Sequence, residues 1–261
     1  MKRTIEGEVK FVVDFLQMMG MVDHTALKPF ESENDIRGLI SEAYLLGTYS
    51  VCIEPCYLEL ARKIIDEKGL NLKIAVVVDF PFGAGTTDAR VMMVNKYSEL
   101  ADEIDIVVQI GMVKSGRFDV VEEDLKRVVR AAHINNRQIK VIVEDAYTTR
   151  EEKRKLYKIV MKSGADFIKT GTGFEDKKYA SSIGNKVGAQ VENVRMMAKY
   201  SETYNKRIGI KAAGGIHTYA KAVALFHASG KEASPRMFRI GASGTRKLKE
   251  SASESGGTLD R

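Results

Sequence analysis

The sequence predicts an α/β fold, a (β/α)₈ or TIM barrel with an extra N-terminal helix. Short apolar runs alternate with longer amphipathic segments along the whole chain. Strands separated by helices form a parallel sheet, and continuously apolar strands are buried on both faces. The 261 residues, 44% of them apolar, suit one barrel of about 250 residues. Two smaller domains and an open doubly wound sheet are the alternatives.

The predicted elements follow in regular alternation. The strands are predicted at residues 22–25, 49–54, 72–80, 103–110, 139–144, 166–170, 208–212 and 238–241. The helices are predicted at 32–46, 57–67, 87–101, 118–135, from 148 to near 164, 187–204, 218–229 and from about 243 onward. Ser32 with Asp35, and Thr148 with Glu151, have the spacing of capping boxes at helix starts.

The two ends of the chain differ from this pattern. Residues 5–19 carry apolar side chains at helical spacing, which predicts the extra helix, packed across one end of the barrel. Residues 251–261 are polar and rich in Gly and Ser, so we expect a flexible C-terminal tail. Residues 1–250 are therefore predicted to form a single domain.

Charge and composition exclude several classes of protein. The net charge is +6, from 41 basic and 35 acidic residues, and both signs are spread along the chain. The sequence contains no basic stripe of the kind that would predict nucleic-acid binding. Charges interrupt the N-terminal segment, so no signal peptide is expected, and no apolar run approaches the ~20 residues of a membrane span.

The two cysteines indicate a reducing compartment. Cys52 and Cys56 are too few for a secreted disulfide scaffold, and no Cys or His pair accompanies them as a zinc site would require. We therefore expect two free thiols in a cytoplasmic protein. No metal and no cofactor is expected, and neither a membrane nor a nucleic acid is expected as a partner.

Two lysines follow apolar runs at the ends of neighbouring predicted strands. Lys169 ends the strand at 166–170, and Lys211 ends the strand at 208–212. Active sites of barrels lie at the carboxyl ends of the strands. Adjacent strands lie ~4.8 Å apart, so each cation would disfavour the charge of the other, and one amine would be neutral and nucleophilic. Two rim lysines with solvated amines are the alternative.

Asp105 lies between two isoleucines in the predicted strand at 103–110. A buried carboxylate near two lysines could simply neutralise them. It could equally relay protons to and from a substrate. Spacing alone leaves both interpretations open.

Glycine clusters follow the last two predicted strands. The sequence AGGIH at 213–217 and the sequence GASG at 241–244 each precede a predicted helix. These are the loops that commonly bind phosphate in barrels, because glycine lets backbone N–H groups approach an anion closely. Gly171 and Gly173 could extend this cradle, and ordinary turns are the alternative.

Seven segments in this order resemble deoxyribose-phosphate aldolases. The resemblance covers residues 23–243, and GADFIKT-x-TG followed by K-x-x-GG is its most diagnostic part. The segments are Asp23-His24-Thr25, Val51-Cys52, Asp79-Phe80-Pro81-Phe82-Gly83, Glu103-Ile104-Asp105, Lys140-Val141-Ile142-Val143-Glu144, Gly164-Ala165-Asp166-Phe167-Ile168-Lys169-Thr170 and Lys211-Ala212-Ala213-Gly214-Gly215.

The resemblance implies a class I aldolase that reversibly cleaves 2-deoxy-D-ribose 5-phosphate to acetaldehyde and D-glyceraldehyde 3-phosphate. It implies that Lys169 forms the Schiff base, that Lys211 tunes it and that Asp105 relays protons. It further implies a homo-oligomer with a phosphosugar substrate. The implied substrate-binding residues are Asp23, Cys52 and Thr172, and the expected phosphate-binding residues are Gly173, Gly214, Gly215, Gly241, Ala242 and Ser243.

The sequence departs from the usual family pattern at four positions. Gly171 stands where Ser is usual, Asp79 where Gly is usual, Asp145 where Thr is more usual, and Gly244 where Ser often occurs. None of these removes an implied covalent catalyst. Two rival functions stay open: a Schiff-base aldolase for another phosphorylated sugar, and a non-catalytic barrel that binds phosphosugars.

Overall fold

The N-terminal segment differs from the predicted helix. The structure, a computed structural model, describes residues 2–5, 8–11 and 13–254. Strands β1 (Lys2–Ile5) and β2 (Glu8–Phe11) pair antiparallel, and only Phe15–Met19 forms a helix, α1. The prediction of one helix over 5–19 was therefore wrong. The residues of β2 alternate charged and apolar, a period of two that suits a strand better than a helix.

Helix α1 packs on the flank of the barrel. Asp14 and Gln17 form a capping box at its start. The Phe15 ring lies 5.9 Å from the ring of Tyr219, whose hydroxyl donates to the carbonyl of Val13 at 3.2 Å. These contacts join the N-terminal segment to the start of a helix late in the chain.

Eight parallel strands close into a barrel, which confirms the predicted fold class. Each strand is hydrogen-bonded to the next in the chain, and the last pairs with the first. The strands are β3 (Val22–Ala26), β4 (Ser50–Ile53), β5 (Lys73–Val78), β6 (Glu103–Val107), β7 (Gln138–Ile142), β8 (Phe167–Lys169), β9 (Gly209–Ala213) and β10 (Phe238–Ala242).

Each barrel strand is followed by helical structure. The helices are α2 (Glu33–Leu46), α3 (Leu58–Glu67), α4 (Thr87–Tyr97), α5 (Ile110–Lys114), α6 (Phe118–Ile134), α7 (Arg150–Ser163), α8 (Lys177–Ser182), α9 (Val191–Tyr204), α10 (Tyr219–Ser229) and α11 (Thr245–Glu254). The short helices α5 and α8 were not predicted. Helix α11 includes residues 251–254, which the sequence had assigned to the tail, and residues 255–261 lie outside the described part.

One capping box is confirmed and the other is shifted by one residue. Ser32 and Asp35 cap α2 as predicted. Helix α7 is capped by Thr149 and Glu152 rather than by Thr148 and Glu151. The sequence contains two adjacent threonines and two adjacent glutamates here, so the spacing alone fits either pair. No described helix is both long and apolar enough to span a bilayer.

The barrel has an apolar outer layer and a charged interior. In β6, Ile104 and Ile106 belong to the main apolar cluster, where strands meet helices. Their neighbours Glu103 and Asp105 point the other way, because side chains alternate along a strand. Asp105 and Glu103 are fully or almost fully buried. A charged barrel interior needs internal partners for every charge.

Candidate active site

Asp105 is the centre of the buried charge cluster. Its Oδ2 atom accepts hydrogen bonds from Lys169 Nζ and Lys211 Nζ, each at 2.8 Å. Its Oδ1 atom accepts a hydrogen bond from Lys140 Nζ, also at 2.8 Å. Four consecutive strands, β6 to β9, supply these four side chains. The carboxylate therefore joins three amines in the interior of the barrel.

Lys169 and Lys211 lie side by side, as their positions in the sequence predicted, although Lys211 is the middle residue of β9 and does not end the strand. Lys169 of β8 and Lys211 of β9 are register partners in the parallel sheet. Their amines share one carboxylate oxygen rather than facing each other alone. Both side chains are buried, which excludes the alternative of two solvated rim lysines.

A second set of ionic contacts lies deeper in the barrel and supports Asp105 and its three lysines. Lys211 Nζ lies 2.5 Å from Asp23 Oδ2, and Lys140 Nζ lies 2.6 Å from Glu103 Oε2. Arg239 pairs with both Asp23 and Glu103, and it is fully buried. The acids and bases thus alternate across the interior, and each buried charge has an opposite partner.

The electrostatic balance fixes the protonation of most of this cluster. Burial alone would raise the pKa of Asp105, but the cations Lys140, Lys169 and Lys211 outweigh burial and hold its pKa well below the ordinary value. Burial would lower the pKa of Lys211, but Asp105 and Asp23 outweigh it and raise the pKa. The pKa of Lys140 is raised for the same reason, by Asp105 and Glu103.

The charges of the cluster balance with one basic group left over. Its three carboxylates are Asp23, Glu103 and Asp105, and its four basic groups are Lys140, Lys169, Lys211 and Arg239. Lys140, Lys211 and Arg239 each pair with two or more of these carboxylates, whereas Lys169 pairs with Asp105 alone.

A cavity of about 500 Å³ opens above the cluster. Of the four basic groups, only Lys169 is among the residues that line it, and the other three are completely buried. Phe80 lies 6.0 Å from the Lys169 amine, measured to the ring centroid. The geometry therefore presents one amine to a bound molecule and keeps its neighbours inside the barrel.

The glycine loops form the rim of the same cavity. All six residues expected to bind phosphate line it: Gly173, Gly214, Gly215, Gly241, Ala242 and Ser243. Gly214 has φ +95°, a conformation that side chains rarely adopt. Gly188 also lines the cavity, and a Cβ added to it would lie 2.8 Å from the carbonyl oxygen of Gly214. The sequence prediction missed this fourth glycine-bearing loop.

Asp23 and Cys52 do not line the cavity, contrary to expectation. Both are completely buried. Asp23 is bound to Lys211, Arg239 and Ser50 beneath the amines. Cys52 belongs to a small apolar cluster inside the barrel, and burial raises the pKa of its thiol to about 11. Both face the interior, where the layer of lysines separates Asp23 from the cavity.

Thr172 lines the cavity but its hydroxyl is already engaged. Its Oγ1 donates to Glu144 Oε2 at 2.5 Å. Glu144 has φ +47°, and its pKa is raised to about 8, chiefly by burial and then by the charge of Glu175. The sequence analysis did not identify either glutamate as part of the site.

Two of the departures from the family pattern have structural explanations. A Cβ added to Gly171 would lie 2.6 Å from Glu175 Oε1 and 2.8 Å from Glu144 Oε1, so the two carboxylates require glycine there. Asp79 has φ +51° and points away from the cavity. Its Oδ2 accepts hydrogen bonds from Arg90 at 2.7 Å and from the Gly85 N–H at 2.8 Å.

Lys140, Glu103 and Arg239 are the buried ionic residues that the sequence analysis did not assign to the site. Lys140 and Arg239 each interrupt an apolar strand, as Asp105 does, whereas Glu103 begins β6. The pattern that singled out Asp105 therefore also fits Lys140 and Arg239, but not Glu103.

Fold and site together define the class of protein. It is a TIM barrel in which a carboxylate-bound lysine, at the end of a strand, faces a glycine-rimmed cavity. The sequence model of the DeoC/LacD family of aldolases matches residues 17–248. The chain belongs to this family of aldolases.

Relatives and solved structures agree with that assignment. A deoxyribose-phosphate aldolase of Thermoplasma volcanium is 48% identical over 233 residues, which cover 89% of this chain and 93% of the relative. One of Thermococcus gammatolerans is 42% identical over 217 residues, covering 81% and 91%. A solved aldolase called QR15 superposes with a TM-score of 0.77 at 31% identity, covering 93% of this chain and 99% of that one.

A more distant neighbour shows the same fold. The deoxyribose phosphate aldolase of Aeropyrum pernix, described as a tetramer, superposes with a TM-score of 0.76 at 24% identity. The match covers 92% of each chain.

Proposed function

We propose that this aldolase reversibly cleaves 2-deoxy-D-ribose 5-phosphate to acetaldehyde and D-glyceraldehyde 3-phosphate through a Schiff base on Lys169. The observation that carries the proposal is the position of this amine. It alone of the cluster's basic groups lines the cavity, and it alone pairs with a single carboxylate of the cluster, Asp105. A neutral amine is the nucleophile that attacks a carbonyl.

The chemistry begins at the aldehyde of the open-chain sugar. The neutral Lys169 amine adds to carbon 1, and loss of water gives a protonated imine. The imine withdraws electrons, so the C2–C3 bond breaks when the hydroxyl on carbon 3 gives up its proton. Glyceraldehyde 3-phosphate leaves, and the bond electrons remain on the enzyme as an enamine. Protonation at carbon 2 and hydrolysis then release acetaldehyde and restore the amine.

Asp105 is the nearest carboxylate to every proton transfer at Lys169. Its Oδ2 is 2.8 Å from the amine, within direct hydrogen-bonding distance. The same oxygen accepts a bond from Lys211, so a proton taken from the carbinolamine enters a connected network. In this proposal Asp105 both neutralises the lysines and relays protons, which unites the two interpretations that spacing left open.

The glycine rim is the proposed phosphate site. Gly214 and Gly215 precede α10, and Gly241 to Ser243 precede α11. Helix N-termini and backbone N–H groups favour an anion. A sugar phosphate held there extends its aldehyde toward Lys169 on the floor of the same cavity.

Product release from 2-deoxyribose 5-phosphate tests the substrate, and Lys169→Ala tests the mechanism. We expect the native chain to release acetaldehyde, and the variant to lose turnover completely, with the exposed Lys206→Ala as control. Turnover by Lys169→Ala would refute the Schiff-base assignment. Turnover confined to another phosphosugar in a substrate panel would favour the rival aldolase, and binding without release would favour a non-catalytic barrel.

The chain is further proposed to form a homo-oligomer in the cytoplasm. The tetramer described for the Aeropyrum pernix enzyme supports oligomerisation, and the two free cysteines, Cys52 and Cys56, support a reducing compartment. Sedimentation equilibrium tests the first point. A single species of 29.0 kDa at micromolar concentration would contradict it.

A further inference from the structure

The carboxylate of Glu175 lies beside the glycine loops at the rim of the cavity. Glu175 Oε1 accepts a hydrogen bond from the N–H of Gly173 at 3.3 Å. A Cβ added to Gly214 would lie 3.3 Å from the same oxygen. This carboxylate is therefore hydrogen-bonded to one of the glycines assigned to phosphate and lies beside another, and Glu175 itself lines the cavity.

The residues on either side of Glu175 are anchored, which fixes its direction. The Phe174 ring packs edge-on against Phe80, with 5.3 Å between centroids. The N–H of Asp176 donates to the hydroxyl of Tyr147 at 2.6 Å. With both neighbours held, the half-buried Glu175 side chain reaches the N–H of Gly173 at the rim.

The local sequence makes room for this carboxylate. Serine at position 171 would bring its Cβ to 2.6 Å from Glu175 Oε1, a distance that forces something to move. Gly171 leaves that space empty, and Glu144 shares it. The charge of Glu175 is also one reason why the pKa of Glu144 is raised. The position of the Glu175 carboxylate therefore depends on the presence of glycine at position 171.

We propose that Glu175 is a specificity-determining residue. Its carboxylate weakens the binding of a phosphate group at the glycine rim, and it therefore reduces the preference of the enzyme for phosphorylated over unphosphorylated sugars. It accepts a hydrogen bond from an N–H group that phosphate would otherwise use. It also adds a negative charge where the substrate brings up to two more. This inference rests on the proposed function, because it concerns the phosphate site of that reaction.

The Glu175→Gln variant isolates the charge from the shape. Glutamine keeps the length of the side chain and an oxygen that can accept from Gly173. The control is Glu202→Gln, which changes an exposed carboxylate on α9. Removing a like charge at this range should strengthen binding of inorganic phosphate about tenfold at low ionic strength, measured by isothermal titration calorimetry.

Kinetics should show the same change only for the phosphorylated substrate. For Glu175→Gln we expect kcat/KM to rise about tenfold with 2-deoxyribose 5-phosphate, mainly through KM, and to change less than about twofold with 2-deoxyribose. Glu175→Ala, which removes the carboxylate altogether, should move both measurements in the same direction, and it carries the test if Glu175→Gln does not fold.

The possible results separate this inference from the proposed function. Unchanged or weaker phosphate binding in Glu175→Gln, or an equal gain with both sugars, would overturn the role of Glu175 while leaving the aldolase reaction intact. Absence of turnover with either sugar in the native chain would instead overturn the proposed function. The phosphate titration would still decide whether Glu175 opposes anion binding.

Discussion

Asp105 binds three amines with two oxygens, and this unequal sharing differentiates the lysines. Lys211 has a second carboxylate partner in Asp23, and Lys140 has one in Glu103. Lys169 has Asp105 alone among the carboxylates of the cluster. The proposed reactive amine, Lys169, therefore differs from its neighbours in its partners as well as in its position at the cavity.

Replacing Lys211 by Ala tests whether it acts through Lys169. Without this cation Asp105 is left with two amines instead of three, so a proton on Lys169 is stabilised. We expect activity to fall roughly a hundredfold near neutral pH and the half-maximal point of the pH–rate profile to move upward. The exposed Lys199→Ala is the control. A profile that keeps its position while activity falls would refute this role.

The buried charged residues of the barrel show which parts of the candidate site could be predicted from the sequence. The strand-end lysines and Asp105 were predicted because charged residues interrupt apolar runs. The partners of Asp23 could not be predicted, since Lys211, Arg239 and Ser50 come from strands distant in sequence. Only the closed barrel specifies which side chains meet across its interior.

The connection between β7 and α7 contains a further buried acid, Asp145, apart from the lysine cluster around Asp105. Asp145 accepts a hydrogen bond from the Tyr157 hydroxyl at 2.5 Å. Burial raises the pKa of Asp145 to about 7 from the ordinary 3.8, although Lys153 opposes the shift. This turn follows β7, the strand that carries Lys140, and leads into α7. The protonation state of Asp145 therefore bears on the packing of α7 against the barrel.

Stability should therefore depend on pH through Asp145. The folded chain keeps this proton between pH 4 and 7 whereas the unfolded chain loses it, so this contribution to stability is present below pH 4 and lost by pH 7. Relative to the native chain, Asp145→Asn should gain about 4 kcal/mol between pH 4 and pH 8. Urea denaturation measures this difference. An equal response to pH in both chains, with exposed Asp66→Asn as control, would contradict the assignment.

The start of α7 offers a matched pair of glutamates. Glu152 accepts from the N–H of Thr149 at 2.7 Å and pairs with Lys114 at 2.8 Å, whereas Glu151 is exposed. Glu152→Ala should cost about 1 kcal/mol in unfolding free energy, and Glu151→Ala less than about 0.5. Denaturation midpoints in urea would measure both. A larger cost for Glu151→Ala than for Glu152→Ala would mean that the capping box has the other register.

Elements with a strong periodicity of apolar residues were predicted well, whereas the short elements inserted between them were not. The eight barrel units emerge from long alternations of apolar strand and amphipathic helix. Helix α8 has six residues, too few for a recognisable period. In residues 5–19, the β-branched residues have spacings that are compatible with a helix. The strand pairing of β1 and β2 was therefore not predicted. Short segments leave the choice to tertiary contacts.

Closure of the whole barrel depends on small residues facing large ones. Gly209 of β9 is the register partner of Phe167 of β8. A Cβ added to Gly209 would lie 2.2 Å from the nearest atom of the Phe167 ring. The narrow interior therefore requires glycine beside this ring, as interiors are packed closely.

Gly209→Ala should destabilise the barrel by about 1–3 kcal/mol through overpacking. Gly38→Ala is the matched control, because a Cβ there meets nothing within 4 Å in the exposed face of α2. That substitution should instead stabilise by about 0.5–1 kcal/mol. Urea denaturation measures both. A cost for Gly209→Ala that persists undiminished in a Phe167→Leu background would contradict the proposed clash.

The central claim is the covalent role of Lys169, and reductive trapping tests it most directly. The native chain is incubated with acetaldehyde and sodium borohydride and then mapped by peptide mass spectrometry. We expect a stable ethyl adduct on Lys169, and no adduct at that position in Lys169→Ala. A native chain that folds correctly but carries no adduct on Lys169 would contradict the account.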